Sequence, residues 1–329
     1  TGYYMKSYQE GKEHGWNLTD PAHQFSPRFL YNQLQGFDEG STLEDNLTLL
    51  SAQGCASMAD APYLDTDYLT YPTADSYKNA IPFRPQDYTY LGNGETVQIF
   101  DAVKTIVSSG DVVGVGIPIY RPNSSTHGHF DHLTAADDEY DMPPAEDVVL
   151  AGYHAITIVG YDEARFGGVG GYRIVNQWGA GWGNNGFAWI SERFLTNFAF
   201  GLYQMTDRIA YEPLGMIHWK ASHQWWWGDN ITVTVGIGPT ANPVWSRVMM
   251  PRIERDNMTI EMWYDISDAP DYLPPSWENQ WWIIVSDSQL YDAATLSIAE
   301  IECGAITEST DAMMPILGPD ADYGGAIVV

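Results

Sequence analysis

Two periods of apolar and polar positions divide the chain. Through about residue 60 the spacing is helical. Tyr4 and Tyr8 lie at i, i+4 in "TGYYMKSYQEGKEHGW", Gly11 and Gly15 close the stretch, and no capping residue precedes it. It reads as a helix entered part-way, with further residues upstream. "STLEDNLTLLSAQG" predicts a second helix: Ser41 is its N-cap, Glu44 completes a capping box, and Leu43, Leu47 and Leu50 share a face. Gly54 falls at its C′ position. Residues 61–95, rich in Tyr, Pro and Asp, are expected to be irregular. "ETVQIFDAVKTIVSSG" then predicts a short helix leading into the apolar strand "DVVGVGIPIY".

A polar stretch from Arg121 to Val148 follows, long enough to need a reason of its own. Strand patterns resume with "YHAITIVGYDE", "GYRIVNQWG" and "GFAWIS". Past Asp207 the texture changes to short alternating strands between Pro, Gly and Asp, among them "NITVTVGI", "NMTIEMWYDI", "QWWIIVSD" and "TLSIAEIEC". That pattern predicts an all-β sandwich. The boundary is set at 207/208, and 9 of the 13 Trp lie beyond it.

Composition narrows the function classes. The 329 residues carry a formal charge of −28, which argues against nucleic acid as a partner, since phosphate binding needs Lys and Arg to displace counterions. The charge suits an extracellular or cell-surface protein kept soluble by self-repulsion. Sequons at Asn17, Asn46, Asn123, Asn230 and Asn257 are candidate glycosylation sites consistent with that compartment. No apolar run reaches the roughly 18 residues of a membrane span.

The chemistry concentrates in "GYHAITIVGYDEARFGGVGGYRIVNQWGAGWGNNGFAWIS". His154 and Asn176 fall on neighbouring strand patterns that can bring imidazole and amide together. An amide oxygen that accepts from one ring N–H fixes the tautomer and aim of a general base. Trp178 lies on the same face as Asn176 and can shield that hydrogen bond. Such a His serves a thiolate nucleophile.

The His-Ala-x-x-Ile-Val-Gly-Tyr block and the Asn-x-Trp-Gly-x-Gly-Trp-Gly block resemble the His and Asn motifs of papain-like cysteine peptidases. "FSPRFLYNQ" and "GYYMKSYQEGK" resemble upstream parts of the same family, so the likeness runs, with gaps, over residues 1–205. The resemblance implies an α+β fold: a papain-like domain over 1–207, with a helical subdomain and an antiparallel barrel-like subdomain. It makes His154 the general base, Asn176 its orienter and Trp178 their cover, with Gln177 where the family usually has Ser. Glu39, Gly40 and Ser41 fall where the family lines its substrate cleft, Gly40-Ser41 replacing a Gly-Gly pair. Residues 208–329 resemble the β-sandwich that follows the peptidase domain in some archaeal members, a lectin-like or P-domain-like accessory domain.

The family's nucleophilic Cys caps the N-terminus of its central helix, where the dipole favours thiolate. Matching "GYYMKSYQEGK" to that helix puts the nucleophile on a segment before Thr1. Cys55 follows the unfavourable end of a helix, and Cys303 falls on a strand pattern of the second part. The expectation is a cysteine endopeptidase acting on polypeptides, its nucleophile upstream and its own cleaved N-terminal segment a candidate partner. Alone, these residues are expected to be inactive, by on the order of a million-fold. A catalytically inactive surface or assembly protein on the same fold is the alternative.

Two weaker signals remain. His127, His129, His132 and Asp131, beside Asp137, Asp138, Glu139 and Asp141, offer a candidate site for Zn²⁺ or Ca²⁺, although the expected chemistry requires no cofactor. Asp287 and Asp292 are a candidate Ca²⁺ loop, and Trp225-Trp226-Trp227 a candidate sugar-stacking surface.

Overall fold

The computed structural model describes residues 1–34, 40–126, 128–141, 148–223, 231–239, 241–249, 258–269, 281–287, 295–303, 306–310 and 314–315. They form two compact units. One is built from Thr1–Phe25, Ser41–Ala52 and Pro85–Ile209; the other from Ser26–Gly40, Gln53–Arg84 and the described residues from Ala210 onward. No helix among the described residues is long and apolar enough to cross a membrane.

The first unit opens with α1 (Gly2–His14), which ends on Gly15 in the left-handed conformation at φ 65°. Its buried Lys6 donates to Glu10 at 2.5 Å and to Asp207. In chain order, α2 (Pro27–Leu34) belongs to the second unit, and α3 (Leu43–Gln53) follows. The cap of α3 stands one residue later than the spacing predicts. Thr42 Oγ1 accepts from the Asp45 amide at 3.0 Å and donates to the Asp45 carboxylate at 2.6 Å. Ser41 and Thr42 each have an acid three residues on, so the pattern alone favours neither.

The stretch expected to be irregular carries α4 (Ala74–Ala80), capped by Thr73, and β1 (Asp87–Gly92). Both are too short for periodicity to reveal. Next come α5 (Ile99–Ser108) and β2 (Val113–Pro122). The long polar stretch holds the short strand β3 (Glu139–Tyr140), which pairs in parallel with a later strand. Then follow β4 (Val148–Asp162), the single turn α6 (Arg165–Gly168), β5 (Gly171–Val175), β6 (Phe187–Ser191), α7 (Glu192–Phe198) and β7 (Gly201–Thr206).

Seven strands form one sheet in the order β1-β7-β2-β4-β5-β6-β3. Val113, Val115, Ile117 and Ile119 of β2 and Ile156 and Ile158 of β4 point into its core, joined by Tyr172, Ile174, Phe194 and Leu202. β2 is apolar on both faces because its other side is also covered. A Cβ on Gly114 would stand 2.9 Å from Met5 Sδ, 3.0 Å from Leu43 Cδ2 and 3.3 Å from Thr1 Cγ2, so α1 and α3 lie directly on this strand. Gly116 is covered by the Phe200 ring.

In the second unit, β8 (Met216–His223), β11 (Met258–Asp265), β13 (Thr295–Cys303), β14 (Ile306–Thr310) and β15 (Met314–Pro315) make one antiparallel sheet. β9 (Ile231–Ile237), β10 (Trp245–Val248) and β12 (Trp281–Asp287) make another. Alternate residues of β8 (Ile217, Trp219, Ala221) are buried, so this strand presents one face to a core. Arg84 and Tyr211 both donate to the buried Asp265 carboxylate.

Candidate functional site

β4 and β5 are antiparallel neighbours, with Thr157 opposite Val175. His154 sits within β4, opposite Ile117 of β2, rather than at its start. Asn176 is the first residue past β5, anchored by its backbone N–H to the Gly186 carbonyl at 3.0 Å. The pairing brings His154 Nε2 to 2.9 Å from Asn176 Oδ1, across 22 residues of chain. Oδ1 also accepts the Gln177 amide at 2.8 Å, which fixes which end of the side-chain amide faces the ring. The ring therefore carries its proton on Nε2, leaving Nδ1 as the base.

Aromatic rings close the site. Trp178 lies against His154 with centroids 4.7 Å apart, while staying 43% exposed. Phe130, fully buried, meets His154 edge-on at 5.9 Å, Trp178 at 5.6 Å and Trp182 at 5.1 Å. Trp182 Nε1 donates to the Phe130 carbonyl at 2.7 Å, tying the polar loop to the Trp-Gly run. Burial pushes the His154 pKa below its ordinary value, and the hydrogen bond to Asn176 works against that shift.

Phe130 is a site residue that the sequence reading missed. Its only signal was a single large apolar side chain inside a polar stretch, which explains why that stretch is long: it delivers the inner wall of the site.

Gln177 contributes its backbone, and its side chain is exposed. Gly40 is exposed with φ 85°, and its N–H donates to the Tyr31 hydroxyl at 3.2 Å; Ser41 is exposed, and Glu39 lies outside the described residues. Cys55 is fully buried, 3.6 Å from the Ser26 carbonyl, in the unit that does not contain His154. Asn17 and Asn123 are exposed in turns, Asn46 is within α3, and Asn230 and Asn257 lie outside the described residues.

His129 Nε2 meets Asp137 at 2.9 Å, Asp131 accepts the Gly128 amide at 2.6 Å, and His132 lies exposed on the same turn. His127, Asp292 and Trp225-Trp226-Trp227 lie outside the described residues, as does the side chain of Asp287. Among the described residues, three or more potential metal-binding atoms gather only at Glu10, Glu13 and His14, within 4.8 Å of one another. Lys6 already pairs with Glu10 there.

Residues 39–199 match the profile of the papain family cysteine protease. A cathepsin C from Schistosoma mansoni is 27% identical over 142 residues, covering 42% of this chain and 27% of that protein. The chain thus spans about a quarter of that relative's length. Xylellain, a cysteine protease from Xylella fastidiosa, superposes with a TM-score of 0.50 at 21% identity, covering 63% of this chain and 78% of its own. At that identity the likeness is one of fold.

Proposed function

We propose, from a papain family cysteine protease domain matched over residues 39–199, that this chain is the base-bearing part of a cysteine endopeptidase. The observation that carries the reading is the His154 Nε2 to Asn176 Oδ1 hydrogen bond at 2.9 Å, held under Trp178. An orienting amide leaves Nδ1 free to take a thiol proton and later return it to the leaving amine. A thiolate attacks the peptide carbonyl, the amine leaves with the proton from His154, and water completes hydrolysis of the acyl-enzyme.

The nucleophile is assigned to a segment preceding Thr1. Cys55 is buried at the end of α3, where neither access nor dipole favours a thiolate. The resemblance matches α1 to the family's central helix, whose N-terminus carries the nucleophile and where the dipole favours a thiolate. The substrate is a polypeptide and no metal or organic cofactor is required. The net charge of −28 and the exposed sequons support an extracellular or cell-surface location. Residues 208–329 are proposed as a β-sandwich accessory domain of archaeal type.

The test is to label the complete protein with a thiol-directed peptidyl inhibitor and map the modified residue. Modification of a Cys upstream of Thr1, lost in the His154→Ala variant, is expected. A complete protein with Ser, Gly or Ala at that position would instead support the non-catalytic surface protein.

A further inference from the structure

Past Gly15, which ends α1, the chain from Trp16 to Gln24 is held on both sides of Asn17. The Trp16 N–H donates to the Gly11 carbonyl at 3.0 Å, and its ring stacks on His14 and on His23, with centroids 4.8 Å apart in each pair. Leu18 lies on Gly11, where a Cβ would stand 2.9 Å from Leu18 Cδ2, and the Leu18 carbonyl accepts from Gln24 Nε2. The Asn17 carbonyl accepts the Asp20 amide at 3.1 Å and faces His23 Nδ1 at 3.3 Å. An exposed polar turn is thus fixed at its base by backbone and aromatic partners.

Within this turn, Asn17 Oδ1 accepts the Thr19 N–H at 3.1 Å and the Thr19 hydroxyl at 2.9 Å. A backbone N–H can donate only to the oxygen of a side-chain amide, so this partner fixes which end is Oδ1. Nδ2 has no acceptor among the described residues, and both Asn17 and Thr19 are exposed. The other two described sequons differ. Asn46 lies inside α3 with Nδ2 donating to Ser41 Oγ and the Thr42 carbonyl, and the Thr48 hydroxyl pairs with Tyr88 Oη at 2.8 Å. Asn123 is exposed, but the Ser125 N–H goes to the Pro122 carbonyl at 3.0 Å.

We infer that Asn17 is an acceptor for an N-linked sugar and that the folded chain itself presents it for transfer. Nδ2 attacks the anomeric carbon of a polyprenyl-diphosphate-linked sugar. The N–C bond forms as the bond from that carbon to the phosphate oxygen breaks, one Nδ2 proton passes to a base on the transferase, and polyprenyl diphosphate leaves. The Thr19 hydroxyl and N–H hold the amide by its oxygen, so Nδ2 is turned outward before the donor arrives. Exposure of the donor to this chain rests on the extracellular or cell-surface location proposed above; the shape of the turn does not.

The experiment uses the complete protein, made without glycan and carrying Ser125→Thr so that both exposed sequons end in Thr. The folded protein is incubated with a purified oligosaccharyltransferase of Asn-x-Ser/Thr specificity and its polyprenyl-linked sugar, and each site is timed by peptide mass mapping. Asn17 is expected to react about 10-fold faster than Asn123, whose turn must first rearrange. Leu18→Ala keeps the sequon but frees the turn from Gly11. It should slow Asn17 about 3- to 10-fold while the Asn123 rate, an internal check on folding, holds. Mapping of the protein from its native source should find the sugar on Asn17. Equal rates at the two sites, no effect of Leu18→Ala, or a native chain modified at Asn123 and bare at Asn17 overturns the inference. A native chain bare at every sequon, with the preference of the folded chain for Asn17 present, overturns the proposed location and leaves the acceptor standing.

Discussion

His154 and Asn176 are joined by a 2.9 Å hydrogen bond formed where the turn after β5 folds back beside β4. Because Asn176 Oδ1 is itself fixed by the Gln177 amide, the ring's orientation is set by backbone on one side and packing on the other. In the complete protein, His154→Ala should lower kcat/KM on a peptide by at least about a thousand-fold, through loss of the base. Asn176→Ala should cost less, about 10- to 100-fold, since the base remains but loses its aim. Steady-state kinetics on both variants decides this, and full activity in Asn176→Ala would remove Asn176 from the mechanism.

The cover over the pair makes a separate prediction. Burial is the first cause of the lowered His154 pKa, and Trp178 is the partly exposed ring nearest to it. Trp178→Ala should admit water and move the pKa up toward 6.5. Because the folded pKa lies below the unfolded one, the unfolded chain takes up this proton first as the pH falls. The ring therefore contributes less stability below pH 6.5, down to the folded pKa, and Trp178→Ala should narrow that window. An NMR titration of the His154 ring protons in both proteins reads the shift; a midpoint that stays put or falls in the variant would refute the burial argument.

What was legible in the sequence followed from short-range rules. Strand patterns placed His154 within β4, whereas Asn176, expected on the neighbouring strand, falls one residue past β5; Gly54 marked the end of α3: it has φ 77°, and a Cβ there would overlap the Ala80 carbonyl. Illegible features depended on distant partners. Phe130 gave no periodic signal, since its position is set by packing on Trp182 and Tyr140. Near it, the candidate metal residues of the loop find partners within the protein: His129 meets Asp137 and Asp131 accepts a backbone amide. α4 and β1 were lost in a Tyr/Pro/Asp-rich stretch because so few residues carry their pattern.

The glycines of the Trp-Gly run are not equivalent. Gly183 has φ 56°, and a Cβ there would overlap the Phe187 carbonyl oxygen; its N–H also holds the Leu133 carbonyl at 2.8 Å. Gly179 has φ 84° with nothing within 4 Å of its missing Cβ. Gly179→Ala should therefore cost only left-handed strain, about 1 kcal/mol. Gly183→Ala adds displacement of the wall carrying Trp182 and should cost about 3 kcal/mol. Denaturant unfolding of the two variants, monitored in parallel, tests the order. Equal losses would mean that the turn yields at no cost.

Beneath the sheet, Lys6 carries the balance of a buried charge cluster. Its side chain is 0% exposed and serves Glu10, itself 4% exposed, together with Asp207, while Glu13 and His14 stand beside Glu10. Burial raises the Glu10 pKa and Lys6 is the leading influence holding it down, with Asp207 and Glu13 pushing it further up. Lys6→Met should leave Glu10 a buried, uncompensated carboxylate and cost about 3–5 kcal/mol at pH 7. The sign with pH is fixed. A carboxyl whose folded pKa exceeds its unfolded value of 4.5 costs increasing stability as the pH climbs from there to the folded pKa. Losing Lys6 raises that upper limit, so the variant's deficit should shrink on acidification toward pH 4.5 and grow again on return to neutrality. Adding Glu10→Gln to Lys6→Met should recover part of the loss at pH 7 and flatten its pH dependence. A deficit in Lys6→Met that is constant with pH would show that packing of the Lys6 stem, rather than its charge, is what α1 requires.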